Sequence, residues 1–220
     1  MADQSFLEYL SQFISQERRE LFDRVIQNRT DHVVVVLEDI FQPHNASAVL
    51  RSCDLLGIQQ VHTIESRNEY NPNPDVALGS NQWLDLSSYD NTESCIQQLK
   101  QKGFKIVATS PHSEAYSPDN IPIDEPMAIF FGTEKAGLTD EVLNQADFHL
   151  KIPMYGFTES FNISVSAAIC LYNISQRLRA SDLSWQLSPE RKLEIMLKWA
   201  KQSVKHPEIH EREFYKNQES

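Results

Sequence analysis

Residues 127–178, MAIFFGTEKAGLTDEVLNQADFHLKIPMYGFTESFNISVSAAICLYNISQRL, constrain the fold more than any other stretch. The apolar runs MAIFF and FHLKIP have strand length, and TDEVLNQA opens on a threonine suited to cap a short helix. A long helix follows from Asn162. The order strand, loop, helix, strand, loop, helix points to an α/β arrangement. Both loops hold polar residues: Thr133, Glu134 and Lys135 in one, and Glu159, Ser160 and Asn162 in the other. In open α/β sheets, loops beyond the carboxyl ends of strands are where ligands bind.

The rest of the chain repeats this alternation. Phe6, Leu10, Phe13 and Ile14, then Leu21, Phe22, Val25 and Ile26, recur at helical spacing and predict one or two amphipathic helices. HVVVVLEDI reads as a buried strand. Pro43 makes FQPHN a loop, after which Asn45 caps a helix that Gly57 closes. VHTIES is a second strand, 67–75 a polar loop, and Leu78 to Leu86 the place for a short strand. Thr92 to Lys102 is a helix ended by Gly103, and FKIVATS a further strand. A proline-containing loop over 110–124 leads to MAIFF. Ser188 and Pro189 start a last helix striped by Leu193, Met196, Leu197, Ala200 and Val204, with Trp199 packed; from His206 the chain reads as frayed. The fold class is α/β, an open and mostly parallel sheet with helices on both faces. Residues 1–30 form an N-terminal helical extension, 31–180 the central domain and 181–220 a C-terminal helical extension.

Several chemistries are excluded. Residues 132–139, GTEKAGLT, nearly match a phosphate loop, but Leu138 stands where the lysine belongs and Glu134 would repel phosphate. The six glycines contain no GxG, so the dinucleotide fingerprint is missing. No histidine or cysteine spacing suits a metal, and no metal is expected. No serine sits in GxSxG. The three cysteines, Cys53, Cys95 and Cys170, are widely spaced and read as buried thiols of a cytoplasmic protein. No apolar run approaches a membrane span, and no signal peptide is evident at the start. The net charge is -11, yet all of it falls within 33–175, where 7 Lys+Arg face 18 Asp+Glu. The ends are neutral and hold the basic residues Arg18, Arg19, Arg24, Arg29, Arg191, Lys192, Lys198 and Lys201. These are either solvated helix faces or a phosphate-contacting rim.

What remains is a site of Asn, Arg, Glu and Ser, groups that bind and orient rather than break bonds unaided. That suits a reaction driven by a cosubstrate. NASAVLRSCDLLG, IFFGTEKAGLT and IPMYGFTESFNISVSAAICLY resemble, in this order, motifs 1, 2 and 3 of the SpoU-TrmH (SPOUT) family of RNA 2'-O-methyltransferases. The similarity spans about residues 20–180. Within the family it is greatest to the branch that methylates guanosine 18 of tRNA, with a ribosomal-RNA target as the alternative. A non-catalytic RNA-binding dimer is a further one. The resemblance implies a C-terminal trefoil knot, S-adenosylmethionine bound in it, and a homodimer in which motifs 1 and 3 complete each other's sites. It places Thr109, Gly132, Ile152, Met154 and Phe161 around the cofactor. Arg51 becomes the central catalytic residue, oriented by Asn45, with Glu134, Ser160 and Asn162 completing the site. The helix after Asn162 is apolar around most of its circumference, which agrees with burial on several sides.

Overall fold

Four consecutive valines form the centre of the sheet. The computed structural model describes residues 2–40, 42–66, 79–110, 115–134 and 136–218. The chain divides into two compact units: Thr30–Trp185, and the two terminal segments Met1–Arg29 and Gln186–Ser220 together.

In the larger unit the strands are Val33–Glu38 (β1), Gln60–Ile64 (β2), Asp85–Tyr89 (β3), Lys105–Thr109 (β4), Met127–Phe131 (β5) and Phe148–Leu150 (β6). They form one sheet in the order β3-β2-β1-β5-β4-β6, and every pair is parallel. The helices are Pro43–Leu56 (α3), Thr92–Gln101 (α4), Asp140–Gln145 (α5) and Ile163–Arg179 (α6). All six β1 residues are buried because both sheet faces are covered. Val33, Val35 and Leu37 pack with α3 and α6 on one face, and Val34 and Val36 with α4 and α5 on the other. All three cysteines are buried, and none is in a disulfide.

β6 is flanked on both edges. β4 lies on one side, and on the other Tyr116 forms a parallel bridge to Leu150. The connection from β4 to β5 therefore passes outside β6. The Arg177 guanidinium fastens it to α6, donating to the Pro118 carbonyl at 2.9 Å and the Ile121 carbonyl at 2.7 Å.

The smaller unit contains Ala2–Ser11 (α1), Gln16–Ile26 (α2), Pro189–Ser203 (α7) and Pro207–Gln218 (α8). Trp199 is fully buried against Phe22, as a packing residue should be.

Four expectations change. Asn45 does not cap α3; the helix begins three residues earlier than expected, with Gln42 at the cap and Pro43 at the first helical position. Proline's fixed φ suits that position, where its missing N–H costs nothing. The short strand placed over Leu78 to Leu86 starts only at Asp85, after a 3-10 turn at Ser80–Gln82. The chain beyond His206 is not frayed but helical, and Phe214 packs its ring on Phe6 and Tyr9. Finally, within a single chain α6 is not buried all round, since Val165, Ile169 and Tyr172 form an exposed apolar stripe. The polar loop expected over 67–75 lies outside the described residues, as do Phe41, Leu78, 111–114 and Lys135.

Candidate active site

The polar loops converge as the parallel sheet requires. α3 and α6 lie side by side with their N-termini together, and the 132–139 loop meets them there. Asn45 is the third residue of α3 and is buried; Asn162 is the N-cap of α6. Asn162 Oδ1 accepts from the Ser164 N–H at 2.9 Å, which leaves its Nδ2 to face outward. That nitrogen donates to Glu134 Oε1 at 2.6 Å and to Asn45 Oδ1 at 3.1 Å. Asn45 Nδ2 donates in turn to Glu134 Oε1 at 2.9 Å and to Gln42 Oε1 at 3.0 Å. Both amide nitrogens thus use both of their protons. The Glu134 carboxylate also faces two helix N-termini, whose partial positive charge stabilises it.

Glu134 lines a cavity of about 350 Å³ at the carboxyl ends of β4, β5 and β6. All five residues expected around the cofactor line it, Thr109, Gly132, Ile152, Met154 and Phe161, together with Ser160. The Thr109 hydroxyl donates to the Phe130 carbonyl at 2.7 Å, joining β4 to β5 where the cavity begins. Gly132 is required sterically. A Cβ there would lie 2.2 Å from the carbonyl carbon and oxygen of Gly137 and 2.4 Å from the Leu138 nitrogen. The loop doubles back on itself at this point. Thr133 N–H donates to Gly137 O at 3.0 Å, and Gly137 N–H to Thr133 O at 2.9 Å.

Arg51 is not part of this cluster. Six residues past Asn45 on one helix, it sits about 9 Å farther along and about 120° around the axis. It is exposed, and Leu55, one turn later on the same face, is 75% exposed. Asn45 therefore orients Glu134 and Asn162 rather than Arg51 within this chain. Ser166, unremarked in the sequence, and Cys170, read there only as a buried thiol, also line the cavity. They stand four and eight residues after Asn162, so helical periodicity from that cap points to them. Burial pushes the Cys170 thiol up to about 12, which keeps it protonated and inert. Among the described residues no three His, Cys, Asp or Glu side chains are grouped to hold a metal.

The basic residues of the smaller unit separate into two kinds. Arg18, Arg19 and Arg24 are exposed on α2. Arg191 pairs with Glu194 at 2.8 Å, Lys192 donates to Gln27 at 2.7 Å, and Lys201 pairs with Glu211 at 3.1 Å while lying over the Phe6 ring. Lys198 is half-buried. Arg29 departs from the expectation of a surface cation. It is 1% exposed, with its guanidinium over the Trp199 ring, so it is a core group of that unit.

Comparison with known proteins agrees with this geometry. The family model described as "SpoU rRNA Methylase family" matches residues 32–172. A protein of Borreliella burgdorferi named tRNA (guanosine(18)-2'-O)-methyltransferase is 47% identical over 197 residues, covering 90% of each chain. One of the same name from Thermus thermophilus is 32% identical over 187 residues, 84% of this chain and 96% of its own. The crystal structure of the A. aeolicus TrmH/SpoU tRNA modifying enzyme superposes with a TM-score of 0.78 at 29% identity, covering 86% of this chain and 98% of that one. No described helix is long and apolar enough to cross a membrane. Matched by the family model over residues 32–172 and by a relative 47% identical over 90% of its length, the chain belongs to the SpoU methylase family.

Proposed function

We propose that the chain transfers a methyl group from S-adenosylmethionine to the ribose 2'-oxygen of guanosine 18 in the D-loop of tRNA. The observation that carries this reading is the convergence of Asn45, Glu134 and Asn162, from three separate motifs, at a cavity walled by Thr109, Gly132, Ile152, Met154 and Phe161. It gains support from near-full-length relatives named for that reaction.

The cavity suits the cofactor. Its volume falls within the range of about 300–1,000 Å³ usual for small-molecule sites. Its walls join apolar side chains to two carboxylates, Glu134 and Glu159, and one ammonium, Lys151, a mixture that suits a ligand carrying both charges with a net positive one. S-adenosylmethionine, when bound, supplies a methyl group on positively charged sulfur. Ile152, Met154 and Phe161 keep water from this space. Gly132 lets main-chain atoms form part of the wall. Asn45 and Asn162 hold Glu134, and hence the loop, in place, and Ser160 completes the substrate side.

Arg51 enters this reading through a second copy of the chain. The stripe Val165, Ile169 and Tyr172 on α6 is unpartnered and apolar, and α3, which packs on α6, bears Arg51 and Leu55 on its exposed face. A homodimer formed over these helices covers the stripe and delivers Arg51 to the partner's site. A guanidinium stays protonated in proteins, so Arg51 stabilises charge on the 2'-oxygen while water or a phosphate accepts the proton. The passage of the β4–β5 connection outside β6 supports a trefoil knot. The exposed Arg18, Arg19 and Arg24 supply phosphate contacts, with the α7 cations secondary. The enzyme meets its tRNA in the cytoplasm.

The test supplies the protein with labelled S-adenosylmethionine and unmodified tRNA or ribosomal RNA, then maps the methylated nucleosides by mass spectrometry. 2'-O-methylguanosine at position 18 of tRNA alone is expected. Label confined to ribosomal RNA replaces the substrate, and no label in either refutes the reading.

A further inference from the structure

Glu38, the last residue of β1, is a carboxylate buried to 2% exposure. Ionised groups are costly to bury unless their charge is met. Among the described residues Glu38 forms no ion pair; it is met by hydrogen bonds from two separate elements. Its Oε1 accepts from the Thr92 hydroxyl at 2.7 Å and the Thr139 hydroxyl at 2.8 Å, and its Oε2 from the Thr139 N–H at 2.9 Å. Thr92 begins α4, while Thr139 caps α5 and ends the 132–139 loop.

The loop is thereby held at both ends. Upstream it continues β5 and turns at Gly132. Downstream the buried Leu138 and the Val142 of α5 seat it against the sheet, and two of the three bonds to Glu38 fix its last residue, Thr139. After Glu38 the chain turns at Asp39, whose φ is 50°, and leads into α3 and Asn45. One buried carboxylate therefore stands between the segment that presents Asn45 and the segment that presents Glu134.

We propose that Glu38 is a positioning residue of the transferase site, acting through Thr139 to hold the 132–139 loop where Glu134 meets Asn45 and Asn162. This rests on the cavity being the methyl-donor site. Thr92 provides an internal control, because its bond to the same carboxylate secures α4 and leaves the loop alone.

The experiment compares Glu38→Gln, Thr139→Val, Thr139→Ser and Thr92→Val in the full chain. Hydrogen exchange of the 133–138 amides, S-adenosylmethionine affinity, kcat, tRNA KM and Tm are read for each. Glu38→Gln and Thr139→Val should speed loop exchange and weaken cofactor binding by about tenfold or more, as the loss of hydrogen bonds to a charged group implies. They should lower kcat with tRNA KM within about twofold. Thr139→Ser, which keeps the hydroxyl, should restore all of these. Thr92→Val should lower Tm yet leave loop exchange and cofactor affinity near wild type. Unchanged loop exchange in Thr139→Val, or equal effects from Thr92→Val, overturns the proposal. Hydrogen exchange needs no activity, so a wild-type protein that fails to methylate tRNA refutes the functional reading and leaves the loop result standing.

Discussion

Gly132→Ala places one methyl group where the chain doubles back, 2.2 Å from the Gly137 carbonyl. Ordinary contacts are well over 3 Å, so one side must move. Gly132 continues the buried strand β5, and the cheaper side is the loop. That loop is closed by two main-chain bonds between Thr133 and Gly137. At a net worth of about 1 kcal/mol each, opening it costs about 2 kcal/mol. For a chain of this size that is a Tm decrease of about 4–8 °C, a local change rather than loss of the fold. Cofactor binding fares worse. The cavity wall formed by Thr133, Glu134 and Leu138 must be rebuilt against the overlap before ligand is held. Charging the same 2 kcal/mol to binding weakens it by about thirtyfold. Gly137→Ala is the matched comparison. Its φ is 69° and no atom lies within 4 Å of an added Cβ, so it carries only the left-handed strain of about 1 kcal/mol. Isothermal titration with S-adenosylmethionine and thermal melts of both variants supply the numbers. Gly132→Ala binding within twofold of wild type would refute the steric argument.

Three further outcomes are expected. Arg177→Met removes two charge-assisted bonds to Pro118 and Ile121 carbonyls, so chemical denaturation should show a loss of about 3 kcal/mol or more with cofactor affinity little changed. Replacing Arg18, Arg19 and Arg24 by Gln should raise tRNA KM and flatten its salt dependence, while the same treatment of Arg191, Lys192 and Lys201 should chiefly lower Tm, because those cations are engaged within their own unit. Burial, with the Lys102 charge second, pushes the His62 imidazole down from 6.5 to about 4, and neither ring nitrogen has a hydrogen-bond partner among the described residues. The unfolded chain takes up this proton below about pH 6.5 and the folded one only near pH 4, so stability is full above 6.5 and about 3 kcal/mol falls away between the two. His62→Leu should flatten denaturation midpoints measured across that window.

The elements that hold the cavity were legible because each carries its own punctuation. Thr139 and Asn162 are caps by residue type, Gly57 and Gly103 are helix stops, and β5 and residues 33–37 of β1 are unbroken apolar runs. The start of α3 was misjudged because Pro43 serves equally as a loop residue and as a first helical residue. Local sequence does not separate these uses; the packing of Val49, Leu50 and Cys53 against the sheet does. The last helix was missed because Ile209, Phe214 and Tyr215 make a thin stripe. Its partners, Phe6 and Tyr9, lie two hundred residues away at the other end of the chain. Within one chain Arg51 and Asn45 lie on different faces of α3, since six residues on a helix turn the side chain by about 120°. Arg29 looked like one more terminal cation because nothing in its neighbourhood announces Trp199.

Asn162 leaves very little room for replacement. As a helix cap, the position would accept Ser, Thr or Asp, each of which offers an oxygen to the first turn. As a donor to Glu134 and Asn45 it would accept Gln or Lys, each of which offers protons. Among the twenty side chains, only Asn presents an acceptor and two donor protons on one short planar group. A saturation library at this codon should therefore collapse to wild type under selection for activity, whereas position 160, which meets no such double requirement, should keep several solutions.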